Sequence, residues 1–457
     1  MTGRRLVSRF LRIAWVLALA PMRYAGRVLL AEVPADSTAD ARRALREQWQ
    51  GETIASALES LGATFVKFGQ ILGSRPDLLP PGWLLALARL QDDVAPAPWA
   101  SIDAVLQREL GPEGLAQFAR IDHTPIAAAS VAQVHVGELV TGEKVAIKVQ
   151  RLDAPAQIER DLFLMRLFVA ALDRIPTLRL LSLPGAVERF AHALSSQLDF
   201  ELEAANNRRL AHNFRREKKV RLPAIHDALS TKRVLTMAFV EGVKATHPER
   251  VAGDRRELAE RGGRAILKMV FEDGFVHADL HPGNILLSDD GTMTFLDLGM
   301  VAEIPSDLMR PWVETFLALA QKDGAAAARQ FYSYAPTVGD GDYDAYERDV
   351  LEYLAPYWDV RLGDVEVGAI VSGMMNVLRR HQIQIEPVFT VVNVALLVSE
   401  GLGKQLDPEI DLVNLAVPYL LQAQLSAPPG RAPLRELSSA RRAPRSDVLS
   451  LSEGGGL

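Results

Sequence analysis

His277-Ala278-Asp279-Leu280-His281-Pro282-Gly283-Asn284 is followed, thirteen residues after the Asn, by Asp297-Leu298-Gly299. Between the two lie Ile285-Leu286-Leu287, the turn Asp289-Asp290-Gly291 and Met293 to Leu296, which predict a β-hairpin. An Asp with an Asn five positions on, then a hairpin ending in Asp-x-Gly, suits phosphoryl transfer. Asn284 and Asp297 supply hard oxygen ligands for Mg²⁺, which retains several waters and needs only one or two protein groups beside phosphate oxygens. Asp279 can accept or orient the proton of an attacking hydroxyl, and Gly299 is read as permitting a backbone conformation closed to other residues. Turn formation alone accounts for Asp289-Asp290-Gly291, but not for the agreement of residue types, order and both spacings in the flanking motifs.

Upstream, Val134 and Val136 alternate with polar neighbours, Thr141-Gly142-Glu143 makes a turn, and Val145, Ile147 and Val149 alternate again, predicting an earlier hairpin. Lys148 falls on the strand face opposite these valines and isoleucine, where its ammonium can reach nucleotide phosphates. The chain holds ten Lys against 41 Arg, so a Lys here is poorly explained as surface decoration. Its expected helix-borne partner is Glu203, with Glu201 and then Asp199 as alternatives. Glu241, near the boundary between lobes, is grouped with the nucleotide-binding residues. These features together are those of a two-lobed, protein-kinase-like α+β fold.

Where such a fold places a Gly-rich loop over phosphates, this chain has Ala127-Ala128-Ala129-Ser130. Methyl groups restrict the close backbone approach that Gly permits, while Ser130 can still hydrogen-bond a phosphate. After Gly299 there is no Ala-Pro-Glu and no long activation segment, which argues against a peptide-substrate platform.

The 457 residues allow two or three domains, and 48 % apolar with 24 % charged residues is globular composition. A formal charge of -6 lacks the basic bias of a nucleic-acid binder, and the absence of Cys excludes disulfides, thiolate metal sites and a Cys nucleophile. Positive charge is concentrated at the start: six Arg precede Glu32. Leu6, Phe10, Ile13 and Leu17 share one helical face with Arg5, Arg9 and Arg12 largely away from it, the pattern of a membrane-surface helix. The same stretch, with Ala18-Leu19-Ala20, mimics a signal peptide. No later run is long and apolar enough to span a bilayer; Val388 to Val398 is eleven residues.

Expected units are a basic amphipathic helix (1–35), a helical extension (36–115), a strand-rich N-lobe (116–243), a helical C-lobe (244–425) and a disordered tail (426–457) rich in Pro, Arg and Gly. Within the extension, Ile54, Leu58, Leu61, Phe65, Phe68 and Leu72 predict one amphipathic helix from Glu52 to Gly73. Val220 to Leu222 and Arg233 to Val240 are expected as N-lobe strands.

From about Glu52 to Leu420 the chain resembles the UbiB-type atypical kinases, also called aarF-domain kinases, linked to ubiquinone biosynthesis. Lys67-Phe68-Gly69-Gln70 matches that family's Lys-x-Gly-Gln signature, continued by Ser74-Arg75-Pro76-Asp77-Leu78-Leu79-Pro80. The Ala-rich loop, Lys148, the Glu203 segment, Asp279, Asn284 and Asp297 match as well. The resemblance implies a helical extension folded over the cleft with Lys67 reaching into the site. It further implies binding of Mg²⁺ with ATP (or ADP), ATPase-like activity, and a lipid or isoprenoid-quinone precursor met at an anionic membrane surface. It therefore implies a cytoplasmic, peripherally membrane-associated protein without a nucleic-acid partner. One departure stands out: where the family has Glu-x-Asp, this chain has Gln197-Leu198-Asp199, so the signature Lys meets a neutral amide that forfeits the ionic attraction. Two alternatives share parts of the pattern: a small-molecule phosphotransferase of the aminoglycoside or choline kinase type, and a nucleotide-gated lipid-binding protein without phosphotransfer. Lys67 to Gln70 and the Ala-rich loop argue against the former.

Overall fold

The computed structural model describes residues 3–30, 38–73, 79–90, 95–174, 183–339, 341–358 and 367–435. Ser74 to Leu78 of the motif that follows the signature, and residues 436–457 of the expected tail, lie outside the described residues.

The first predicted hairpin forms as β3 (Ala132–Leu139) and β4 (Lys144–Gln150), in a sheet of order β1-β3-β4-β6 with β1 at Phe118–Ile121 and β6 at Val234–Ala238. A short β2 (Ala127–Ala128) pairs with β3. Val145, Ile147 and Val149 are fully buried, and β4 places Lys148 between Val134 and Leu235 in register on the other face. The buried face is covered by α5 (Trp99–Leu115), whose Ile102, Val105 and Leu106 repeat at helical spacing against it. This packing makes α5 part of the N-lobe, so the extension ends before Trp99 rather than at 115.

The extension comprises α1 (Gly3–Leu30), α2 (Ala39–Leu61), α3 (Ala63–Gly73) and α4 (Pro81–Leu87). It shares one hydrophobic core with α6 (Ala154–Leu172) and α7 (Leu183–Gln197), the helical insertion after β4. The single helix expected from Glu52 to Gly73 is two, broken at Gly62, whose φ of +91° ends α2. Its N–H bonds the Leu58 and Glu59 carbonyls, while Arg12 and Arg9 donate to the Ser60 and Leu61 carbonyls, each at 2.6 Å.

That capping reverses the expected orientation of α1. Arg9 turns inward and also grips Asp161 of α6 at 2.7 and 2.8 Å, with side-chain exposures of 17 % and 1 %. Ile13 is buried and Leu6, Val16 and Leu17 pack beside it. The large apolar side chains left in solvent are Val7, Leu11, Trp15, Met22 and Leu29, with Phe10 of the expected face at their edge, exposed from 44 % at Phe10 to 84 % at Leu29.

The helical lobe holds α9 (Arg255–Phe271), α10 (Ser306–Ala320), α11 (Gly324–Tyr334), α12 (Tyr343–Trp358), α13 (Val367–Arg380), α14 (Pro387–Leu406) and α15 (Leu412–Ser426). The second predicted hairpin is β9 (Ile285–Leu287) and β10 (Met293–Phe295), in a sheet of order β5-β10-β9-β7. Its β5 (Val220–Arg221) runs parallel to β10, so this strand belongs to the C-lobe sheet and not to the N-lobe. β7 is Val243–Lys244. The core of the lobe includes Trp312 stacked on Phe389 with ring centroids 4.2 Å apart.

The start of the tail is ordered, contrary to its composition. Arg310 donates to the carbonyls of Ala427 and Pro428, the Arg431 and Leu434 N–H groups bond Asp307 and Ser333 carbonyls, and Arg431 pairs with Glu386 at 2.6 Å. Backbone hydrogen bonds to the lobe hold a segment with few apolar side chains of its own. Of the described helices, α14 alone is long and apolar enough to cross a membrane, and over half of its apolar window is buried in the lobe.

Candidate functional site

The two lobes meet around Lys148. Its ammonium donates to both carboxylate oxygens of Glu203, at 2.8 and 2.9 Å, and lies 3.0 Å from an Asp297 oxygen. Glu203 is delivered by α8 (Phe200–Asn213), which Asp199 caps by accepting from the N–H groups of Glu201 and Leu202. Phe200 and Ala204 pack under β6 with Leu235, and Lys148 passes over the Phe200 ring, 5.3 Å from its centroid. Glu201 is exposed, so Glu203, the first choice, is the partner.

Burial would lower the Lys148 ammonium, but the charges of Asp297 and Glu203 outweigh it and hold the pKa well above the ordinary range. Burial pushes the Glu203 carboxyl up to about 7, helped by Asp297 and opposed by Lys148. Burial acts upward on Asp297 too, yet Lys148 first, then Lys67 and His277, carry it well below the carboxylate range. Two carboxylates thus share the Lys148 ammonium, and the Lys67 charge acts on Asp297 as well, whose side chain is 45 % exposed. Asn284 and Asp297 are the residues whose oxygens would hold Mg²⁺ beside phosphate. Among the described residues no cluster of three or more His, Asp and Glu could cage a metal by itself.

The loop carrying Asp279 hangs from β8 (Phe275–His277), paired with β11 (Val301–Glu303). Buried His277 accepts from the Asp279 N–H through Nδ1, at 3.2 Å, so Nε2 carries the proton and donates to the Leu296 carbonyl at 3.0 Å. Burial lowers its pKa and favours this neutral form. Asn284 Nδ2 donates to the Asp279 carbonyl at 3.1 Å, and the Leu296 N–H to the Asn284 carbonyl at 2.8 Å. One imidazole and one amide therefore lock the Asp279 loop to the strand leading into Asp297.

At the metal loop the strain sits elsewhere than expected. Asp297 itself has φ of +54°, whereas Gly299 has no positive φ. Space at 299 is tight: a Cβ would lie 3.2 Å from an Asp297 oxygen and 3.4 Å from a Glu203 oxygen. Asn206, three residues beyond Glu203, donates to the Leu298 carbonyl at 3.0 Å and ties α8 to this loop.

The extension reaches the site through α3. Lys67 lies near enough for its charge to lower Asp297. The rest of the signature is packing: a Cβ on Gly69 would meet Leu90 Cδ1 at 2.3 Å and Leu58 Cδ1 at 2.8 Å, and Gln70 donates to the Leu90 carbonyl at 3.1 Å. Gln197 ends α7 with Oε1 buried and without a hydrogen-bond donor among the described residues. The first two residues of the Ala-rich stretch form β2 and the chain turns at 129–132; the Ala129 carbonyl accepts from Arg151 Nε at 2.8 Å, Ser130 is buried, and Val131 packs on the extension core. The Glu241 side chain is not brought to the cluster; it is 84 % exposed and faces Lys144 at 3.6 Å.

Sequence reasoning missed His277 as the loop clamp, Asn206 and Arg151. His277 stood inside the quoted motif and Asn206 three residues beyond Glu203, but a buried clamp and an exposed polar residue read alike without the partner's position. Arg151, three residues after Lys148, had no signal of its own.

A strand-rich lobe, a helical lobe and this Lys–Glu–Asp triad define a kinase-like protein. An ABC1 atypical kinase-like domain matches residues 89–331 and a UbiB helical domain matches residues 350–411. The first spans more than half of the chain, which belongs to the UbiB/ABC1 family of atypical kinase-like proteins. Among solved structures it is similar to Rv3197 of Mycobacterium tuberculosis, determined in complex with erythromycin. The identity is 22 % over 81 % of this chain and 99 % of that one, with a TM-score of 0.51. It is also similar to the Rio2 kinase–ADP/Mg²⁺–phosphoaspartate complex of Chaetomium thermophilum, 12 % identical over 72 % of this chain and 98 % of that one, TM-score 0.30. The likeness to Rv3197 is one of fold.

Proposed function

We propose that this protein is a Mg-ATP-dependent atypical kinase or ATPase acting at a membrane surface, in ubiquinone or related isoprenoid-lipid metabolism. The observation that carries the reading is Lys148 held between Glu203 and Asp297, with Asp279 and Asn284 on the loop clamped beside them. Asp297 and Asn284 would hold Mg²⁺, which supplies charge neutralisation on the phosphates. Lys148, positioned by Glu203, orients the nucleotide phosphates, and Asp279 holds or removes the proton of the attacking hydroxyl or water. Lys67 adds a second cation to the cleft. The Ala-rich loop, tied to Arg151 and covered by the extension, favours slow turnover with a nucleotide preference of its own.

Membrane contact is supported by the outward stripe of α1, with Arg23 in the same helix and Arg42, Arg43 and Arg46 opening α2. The test is phosphate release from Mg-ATP with anionic vesicles present, for the parent and Asp297→Asn. Loss on the order of a hundredfold is expected in the variant. Parent-level release would overturn the metal assignment, and vesicle-stimulated release without a phosphorylated product would identify an ATPase with a lipid client.

A further inference from the structure

Six helices of the C-lobe, α9, α10, α12, α13, α14 and α15, enclose a cavity of about 120 Å³ lined almost wholly by carbon. Phe271, Phe316, Trp358, Val371, Leu396 and Ala416 represent the six walls. The cavity lies on the seam between the kinase-like domain, which supplies α9 and α10, and the helical domain, which supplies most of α12 and all of α13 and α14. Such seams are where ligand sites form. It belongs neither to the Lys148 cleft nor to the α1 surface.

Close packing leaves few interior voids larger than a water molecule, so a void of this size at a domain seam calls for an occupant. Among the described lining residues Ser399, Tyr357, Trp358 and Lys322 carry the polar side-chain atoms, and the lining surface is otherwise carbon, the character of a cavity that stays dry. An apolar cavity of about 150 Å³ stays dry and takes up benzene, so this one has room for a ring-sized apolar group, the end of a hydrocarbon chain. The cavity is partly open, and at its mouth Lys322 is exposed with its ammonium donating to the Trp358 carbonyl.

We propose that this cavity binds the terminal hydrocarbon of an amphiphile, a prenyl or fatty acyl chain whose polar or anionic head stays outside beside Lys322. The ligand is held by burial of its chain end, and Lys322 favours an anionic head over a neutral one.

The experiment is titration of the full chain with cis-parinarate, read by its fluorescence, followed by displacement with laurate, farnesyl phosphate and farnesol in separate arms. Saturable binding is expected, weakened about tenfold or more by Ala416→Trp, which fills the cavity, while the thermal midpoint is held or raised. Should Ala416→Trp fail to fold, Ala320→Phe fills the same space from the α10 wall. Stronger displacement by farnesyl phosphate identifies a prenyl source, and stronger displacement by laurate an acyl one. Absence of saturable binding, equal affinity in parent and filled variants, or farnesol displacing as well as both anions would overturn the respective parts of the proposal. No nucleotide enters the readout, so this outcome is separable from that of the phosphate-release test.

Discussion

At the scale of single residues, the cleft is organised by one ammonium with two claimants. Glu203 takes up a proton in the folded protein at a pH where an unfolded Glu has already lost it. A raised carboxyl pKa means that the folded state binds more protons than the unfolded one between the two values, so Glu203 makes stability fall as pH rises from its ordinary carboxyl range to about 7. His277, buried neutral, acts in the opposite sense, its contribution being lost as pH falls through the ordinary His range. Denaturant unfolding of parent and Glu203→Gln at each pH separates them, because His277 is common to both. The expected difference shrinks toward low pH, and a pH-independent difference would mean that Glu203 stays ionised throughout. Gly69 offers a second residue-scale prediction. Gly69→Ala drives a methyl into Leu90 and Leu58 and costs about 1–3 kcal/mol, measured by urea unfolding. Phosphate release by the folded fraction should change less than in Lys67→Met.

Among elements, α1 decides how the extension is closed. Arg9 links it to α6 through Asp161 and caps α2, so Arg9→Ala leaves a buried carboxylate unpaired and should cost about 3 kcal/mol. Limited trypsin digestion checks this: α1 should be released faster in the variant than in the parent, with partial recovery in Arg9→Ala with Asp161→Asn. Trp15 and Ile13 then distinguish the two faces. Trp15→Asp should lower flotation with anionic vesicles and leave the thermal midpoint nearly unchanged, whereas Ile13→Asp should lower the midpoint. The opposite pattern would restore the Leu6, Ile13 and Leu17 face as the membrane contact. Helical periodicity made α1 legible as an amphipathic helix, but it carries apolar residues on more than one face, and only α2 and α6 select which is covered. Gly62 is similar: the four-and-three spacing of Leu58, Leu61, Phe65 and Phe68 continues through the break, so periodicity alone could not locate it.

At the scale of the whole molecule, the site exists only where an N-lobe strand, helix α8, the C-lobe loops and the extension converge. Mg-ATP bound across them should stabilise the native state by about 2.7 kcal/mol at a hundred times its dissociation constant. A thermal melt should therefore show a raised midpoint in the parent and little or none in Asp297→Asn. An equal rise in both would place the nucleotide elsewhere.

The sequence by itself determined the two hairpins and the order of lobes, singled out Lys148, Asp279, Asn284 and Asp297 as candidates, and narrowed the partner of Lys148 to Glu203, Glu201 or Asp199. Those features are local: alternation of period two, turn residues, and short spacings between polar groups are written within a few positions of one another. Only the tertiary structure decided that α5 packs in the N-lobe, that β5 joins the C-lobe sheet, that the start of the tail is pinned, and that Arg9 faces inward. It also decided that Asp297 rather than Gly299 takes the left-handed backbone. Each of these depends on a partner tens or hundreds of residues away, and burial, register and charge pairing acquire their sign only when that partner is in place.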